Sequence, residues 1–203
     1  AIAAQIDNLG ASLSVACGYN SLHSQAVCLR EDWRTVLELL ADVILHPTFK
    51  QDPWRKMQPR LLAAIDRLGD RWTTELSTRF RKAYYRDHPW SHTVHGRFDV
   101  VEALTVEDLR QFHRQHIGAT EAVLAVFGDV DPDQVVRRAE ALFAEMPRAP
   151  QVPFKPPLVS PPTASLRQTH TKKPMAAVQI GFGPGATRQS PDYPALRVLS
   201  NVL

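Results

Sequence analysis

"AIAAQIDNLGASLSVACGYNSLHSQAVCLR", residues 1–30, changes its apolar period within ten residues, and that change decides the fold class. Ile2, Ile6 and Leu9 share one helical face, and Gly10 is a helix stop. From Ser12 the period becomes two. Leu13, Val15 and Cys17 alternate with Ser12, Ser14 and Ala16, as in a half-buried strand. "GYNS" (18–21) supplies turn residues, and "LHSQAVCLR" (22–30) alternates again, so residues 11–29 predict a β-hairpin. A helix running into an antiparallel hairpin, with more helices after it, predicts an α+β domain whose antiparallel sheet carries helices on one face.

The following segments supply those helices. "EDWRTVLELLADVILH" places Trp33, Val36, Leu37, Leu40, Val43 and Ile44 at helical spacing and ends before Pro47. "DPWRKMQPRLLAAIDRLG" opens with Asp52 as cap and Pro53 at the first helical position. Pro59 interrupts it and predicts a kink or a delayed start. "TTELSTRFRKAYY" predicts another helix, and "TVEDLRQFHRQHI" begins with a capping box from Thr105 to Asp108. "EAVLAVFGDV" reads as a continuous apolar strand over 121–128, expected to close the sheet, and "DPDQVVRRAEALFAEM" as an amphipathic helix.

Residues 147–163 hold seven of the chain's 16 prolines and read as a semi-rigid linker. Two strands near 164–171 and 175–182 and a helix from Ser190 then open something new. The expected organisation is a domain over 1–146, a linker over 147–163, and the start of a second unit over 164–203. Both ends read as cuts through helices, so the expectation is a piece of a longer protein.

A hydrophobic share of 44% is enough for a core. The net charge is +3, and no basic run interleaves with aromatics, which argues against nucleic-acid binding. No apolar stretch approaches the ~18 residues of a membrane span. Cys17 lies near the hairpin turn and Cys28 far from it, so a disulfide between them is not expected.

No motif carries a reaction by itself. There is no G-x-S-x-G, no G-x-x-x-x-G-K-[ST], no C-x-x-C, no H-E-x-x-H and no H-x-x-E-H. "GFGPG" (181–185) follows an apolar run, but Pro184 removes an amide that an anion nest needs, so it reads as a turn. His113 and His116 lie at i, i+3 with no third ligand nearby in sequence. "HPWSHTVHG" (88–96) gathers His88, His92 and His95. Pro89 and Gly96 argue against a helix there, and the segment reads as a polar loop.

Six stretches, in order, resemble the pitrilysin/insulinase family of metallopeptidases, the inverted zincins: "IDNLGASLSV", "LLADVILHPTF", "YYRDHPWSHTVHG", "LTVEDLRQFHRQHI", "VLAVFGDVDPDQV" and "PDYPALRVLSNVL". The resemblance covers essentially the whole chain. It implies that the histidine loop is structural and that the zinc-binding H-x-x-E-H lies upstream of Ala1. It further implies a third ligand, a glutamate in a pattern E-x-x-x-x-x-x-E-I. With Ile65 as the isoleucine of that pattern, Ala64 stands at the ligand and Met57 at the earlier glutamate. A methyl group does not coordinate zinc. Asp66, two residues on, lies about 200° around the helix.

Catalytic members carry Asn-Ala on the first hairpin strand, where this chain has Ser14 and Val15. The resemblance therefore implies a non-catalytic subunit or half that completes the chamber of a zinc-bearing homologue. The resemblance further implies that peptide or unfolded polypeptide is held as an added strand, with Leu13, Ser14 and Val15 as the candidate edge. No cofactor is expected in this chain itself, zinc belonging to the catalytic members. Two alternatives stay open: an active zinc endopeptidase with its H-x-x-E-H upstream, and a purely structural core protein of a processing complex. Bacterial members suggest a periplasmic or secreted location.

Overall fold

The computed structural model describes residues 2–19, 21–148, 165–170, 175–182 and 187–202. Its elements run α1 (Ile2–Asn8), β1 (Ser12–Cys17), β2 (Leu22–Val27), α2 (Trp33–Leu45), α3 (Gln51–Asp66), α4 (Trp72–Tyr85), α5 (Phe98–Ala103), α6 (Val106–His116), α7 (Pro132–Phe143) and α8 (Tyr193–Val202). The class is α+β. The chain divides into two compact units, residues 1–63 with 98–154, and residues 64–97 with 155–203.

The first unit is built on the hairpin. Gly10 adopts φ +58°, the left-handed conformation that ends α1 and turns the chain into β1. β1 and β2 pair antiparallel from Ser12 opposite Val27 to Cys17 opposite Leu22. α2 lies against β2 and α7. It buries Val36, Leu37, Leu40 and Ala41, a stripe at i, i+1, i+4 and i+5. Ile6, Val101 and Val106 complete the buried apolar set among the described residues. Each large member of that set contributes about 1.5–3 kcal/mol through its burial.

Three polar pairs tie α2 and its approach to α7. Arg30 meets Asp129 at 2.7 Å, Arg34 donates to Gln134, and Arg138 meets Glu38. The partners advance together along both helices, so α2 and α7 run side by side in the same direction. At α6, Thr105 caps the helix: its hydroxyl accepts from the Asp108 amide at 3.3 Å, while its own amide donates to the Asp108 carboxylate at 2.7 Å.

α3 runs unbroken through Pro59, and its own polar side chains hold α5. The Gln58 amide donates to the carbonyls of Val101 and Glu102, both at 2.9 Å, and Leu104 at 3.2 Å. Trp54 Nε1 also donates to the Leu104 carbonyl, at 3.2 Å. These bonds occupy two of the last carbonyls of a six-residue helix that the sequence pattern did not announce, and one just beyond it.

In the second unit, α4 is followed by a single 3-10 turn, Pro89–Ser91, packed against it. α8 is its last element among the described residues.

Three expected strands are not strands here. Residues 122–127 carry no ladder, although they follow a 3-10 turn and lead into Gly128. Residues 165–170 and 175–182 likewise join no ladder. An apolar run becomes a strand only when a neighbouring strand takes up its amides and carbonyls, and among the described residues none does. From residue 149 the proline-rich stretch lies outside the described residues, as do 183–185 of the glycine-rich turn.

Candidate functional site

Among the described residues β1 shares its ladder with β2 alone, and no strand pairs with its other edge. Leu13 pairs with Ala26, Ser14 with Gln25 and Val15 with Ser24. Side chains alternate across a strand, so Leu13 and Val15 share one face with Ala26 and Ser24, while Ser14 and Gln25 share the other. Leu13 is half-buried; Ser14 and Val15 are exposed. An open strand edge offers unpaired amides and carbonyls to any extended chain that reaches it.

Near the turn of the same hairpin, the Ser21 hydroxyl lies 2.7 Å from His23 Nε2, both side chains exposed. Both cysteines are free. Burial, with the nearby Asp32 charge second, pushes the Cys28 thiol up from its ordinary value, which disfavours the nucleophilic thiolate.

Ala64 sits half-buried in the last turns of α3. Met57, seven residues earlier, is exposed and lies about 20° away around the helix, on the same face. Neither side chain is a carboxylate. Asp66 is exposed and points to another side of the helix. The zinc that the resemblance implies needs at least three protein donors. Among the described residues no three His, Cys, Asp or Glu side chains stand together as a metal cluster. Met57 and Ala64 offer no donor to that ion.

The histidine loop has a different use for its rings. His88 caps the 3-10 turn, its Nδ1 accepting from the Trp90 amide at 3.1 Å. Its ring lies 5.9 Å from Tyr85 and 5.4 Å from Trp90. Tyr85 and Trp90 meet edge to face at 5.7 Å. His92 and His95 are exposed, and Gly96 closes the loop at φ +81°.

His113 and His116 also have separate partners. Nε2 of His113 donates to the Ile44 carbonyl at 2.7 Å, and its ring meets Phe49 at 5.7 Å. His116 packs on Phe112 at 4.4 Å. Phe49 adopts φ +38°, a strained conformation held by its contact with His113 and by Arg110, which donates to its carbonyl at 3.1 Å.

Sequence reasoning did not find the Gln58 and Trp54 clamp or the bond from the Tyr84 hydroxyl to the Phe182 carbonyl. Each joins residues more than 40 positions apart, and no local pattern marks such a pair.

Residues 103–203 match the family model described as the peptidase M16 inactive domain. An uncharacterized zinc protease of Rickettsia felis is 26% identical over 155 residues, 76% of this chain and 38% of that protein. The mitochondrial-processing peptidase subunit beta of Caenorhabditis elegans is 21% identical over 142 residues, 70% of this chain and 31% of that protein. A crystal structure of a peptidase M16 inactive domain from Pseudomonas fluorescens superposes with a TM-score of 0.66 at 23% identity, covering 84% of this chain and 39% of that one. The chain spans less than half the length of the curated relatives it matches. The matching family model and these zinc-protease and processing-peptidase relatives lead to one assignment: the chain belongs to the pitrilysin/insulinase family, the M16 peptidases.

Proposed function

We propose that this chain is part of a non-catalytic half or subunit, which pairs with a zinc-bearing homologue and holds extended polypeptide along β1. The observation that carries this reading is the open edge of β1 at Leu13, Ser14 and Val15. An extended peptide adds there as a further strand, its main chain bonding to the edge and its alternate side chains facing either side. The methyl group of Ala64 supports the non-catalytic part, and the description of the matching family model as an inactive domain agrees with it. Residues 1–146 then belong to one domain of the family, 147–163 to a linker, and 164–203 to the start of a second homologous domain.

The test uses a fluorescent apolar peptide titrated into the purified protein, beside the same peptide N-methylated at single positions. Main-chain addition to an edge predicts weaker binding for methylation at alternate residues and unchanged binding for the residues between them. Equal binding by every methylated probe overturns the edge reading. The names of several relatives as zinc proteases favour a second reading, an active endopeptidase whose metal-binding helix lies elsewhere in the protein. Peptide hydrolysis by the isolated full-length protein separates the two readings.

A further inference from the structure

The turn after α4 is capped through one imidazole lone pair. α4 ends at Tyr85, and the His88 amide donates back to the Tyr85 carbonyl at 2.9 Å. Pro89 follows and has no amide proton to give. The Trp90 amide donates to Nδ1 of His88 at 3.1 Å, and the Ser91 amide donates to the His88 carbonyl at 2.8 Å. His88 thus accepts the first two amides of the turn Pro89–Ser91, one on its ring and one on its backbone.

A backbone amide only donates, so Nδ1 of His88 carries a lone pair and no proton. In the neutral ring the proton then sits on Nε2. Protonation puts N–H groups on both ring nitrogens and leaves no acceptor, so the Trp90 amide would face a second donor. Ser, Thr and Asn, the usual capping residues, accept through oxygens that do not titrate near neutral pH, whereas histidine changes charge between about pH 5 and 8.

The surroundings of the ring supply no substitute. Tyr85 and Trp90 lie 5.9 and 5.4 Å from it, and aromatic rings attract a cation without bonding the Trp90 amide. α4, which packs against the turn, carries Glu75, Arg79, Arg81 and Lys82 besides Tyr85, and Glu75 and Arg79 pair with each other at 2.9 Å. Arg86, Asp87 and His92 lie beside His88 on its own loop. Among the described residues none of these forms an ion pair with His88.

We infer that the turn after α4 is acid-sensitive: neutral His88, with its proton on Nε2 alone, caps Pro89–Ser91, and a proton on Nδ1 removes the cap. The cap is present where the ring is neutral and lost as pH falls through its titration. His88 is here a positioning residue, holding Trp90 where its indole meets Tyr85 edge to face at 5.7 Å. The two bonded partners lie two positions apart, so the inference needs nothing outside this loop and does not rest on the peptide edge of β1.

Nuclear magnetic resonance on the intact protein, labelled with 15N in histidine and tryptophan, tests it. The ring nitrogens of His88 at pH 8 are expected to show the Nε2–H tautomer. Exchange of the Trp90 amide with water is then measured in wild type, His88→Asn and His88→Ala from pH 8 to pH 5. The Asn carbonyl oxygen accepts in place of Nδ1 and does not titrate, so each rate is divided by that of His88→Asn at the same pH. This ratio cancels the intrinsic pH dependence and the titration of every other group. In wild type the ratio is expected to rise roughly threefold to tenfold between pH 8 and pH 5, and in His88→Ala to be raised by that much throughout. Should His88→Ala fail to fold, the comparison of wild type with His88→Asn decides alone. A wild-type ratio that does not change with pH overturns the inference, as does an Nδ1–H tautomer at pH 8.

Discussion

A single side-chain amide, that of Gln58, serves three carbonyls at the end of α5. The contacts to Val101 and Leu104 are part-buried and the one to Glu102 is exposed, and without Gln58 the Leu104 carbonyl keeps only its bond from Trp54. Gln58→Ala is expected to cost about 1–3 kcal/mol in unfolding free energy, measured by urea denaturation. At the start of α6 the Thr105 side chain, with its backbone amide second, holds the Asp108 carboxyl below the usual carboxylate range. Because the folded value is depressed, the stabilisation is present above the unfolded value of about 3.9 and disappears as pH falls through the folded value. Asp108→Asn is therefore expected to lower the melting temperature at pH 7 and to leave it unchanged well below pH 3 in paired thermal scans. This cap was legible in the sequence because both partners lie within one turn. Gln58 and Tyr84 were not, because their partners lie 43 and 98 residues away.

Among elements, the clearest contrast lies between α7 and the segment before it. α7 is anchored by Asp131, whose carboxylate accepts from the Gln134 amide at 3.1 Å, and by its polar pairs to α2. Those pairs are exposed, and each is worth no more than about 1 kcal/mol, so they set the alignment of the helices rather than their stability. Residues 122–127 have the composition of a buried strand, yet Val123 is 92% and Phe127 94% exposed. The period-two hairpin was readable because both of its strands are present in one short stretch. For 122–127 the composition was readable but the pairing was not, since a strand is completed by its neighbours. Among the described residues this apolar run has no strand partner, which leaves it able to associate with another chain. Phe127→Glu is expected to weaken self-association of the isolated chain by about tenfold in sedimentation velocity, by removing one large apolar contact. Helix content should not change. Unaltered association would place the sticky surface elsewhere.

At the scale of the whole molecule, the chain carries part of a family architecture whose members are more than twice as long. The order of its motifs was enough to identify the family. The proposed site was readable only through the family pattern, because an alanine or a serine bears no chemical mark of its own. A catalytic zinc of this type needs three protein ligands and a water whose pKa the metal lowers toward about 7. Ala64→Glu adds a single carboxylate on α3, one of the three donors such a zinc needs, so it is expected to give no peptidase activity. The most direct measurement of the non-catalytic assignment is hydrolysis of a quenched fluorescent peptide by the full-length protein, freed of any co-purifying partner, with and without a chelator. The expected result is no cleavage by the isolated protein and chelator-sensitive cleavage once a zinc-bearing homologue is added. Chelator-sensitive cleavage by the isolated protein would contradict the assignment and establish the active endopeptidase in its place.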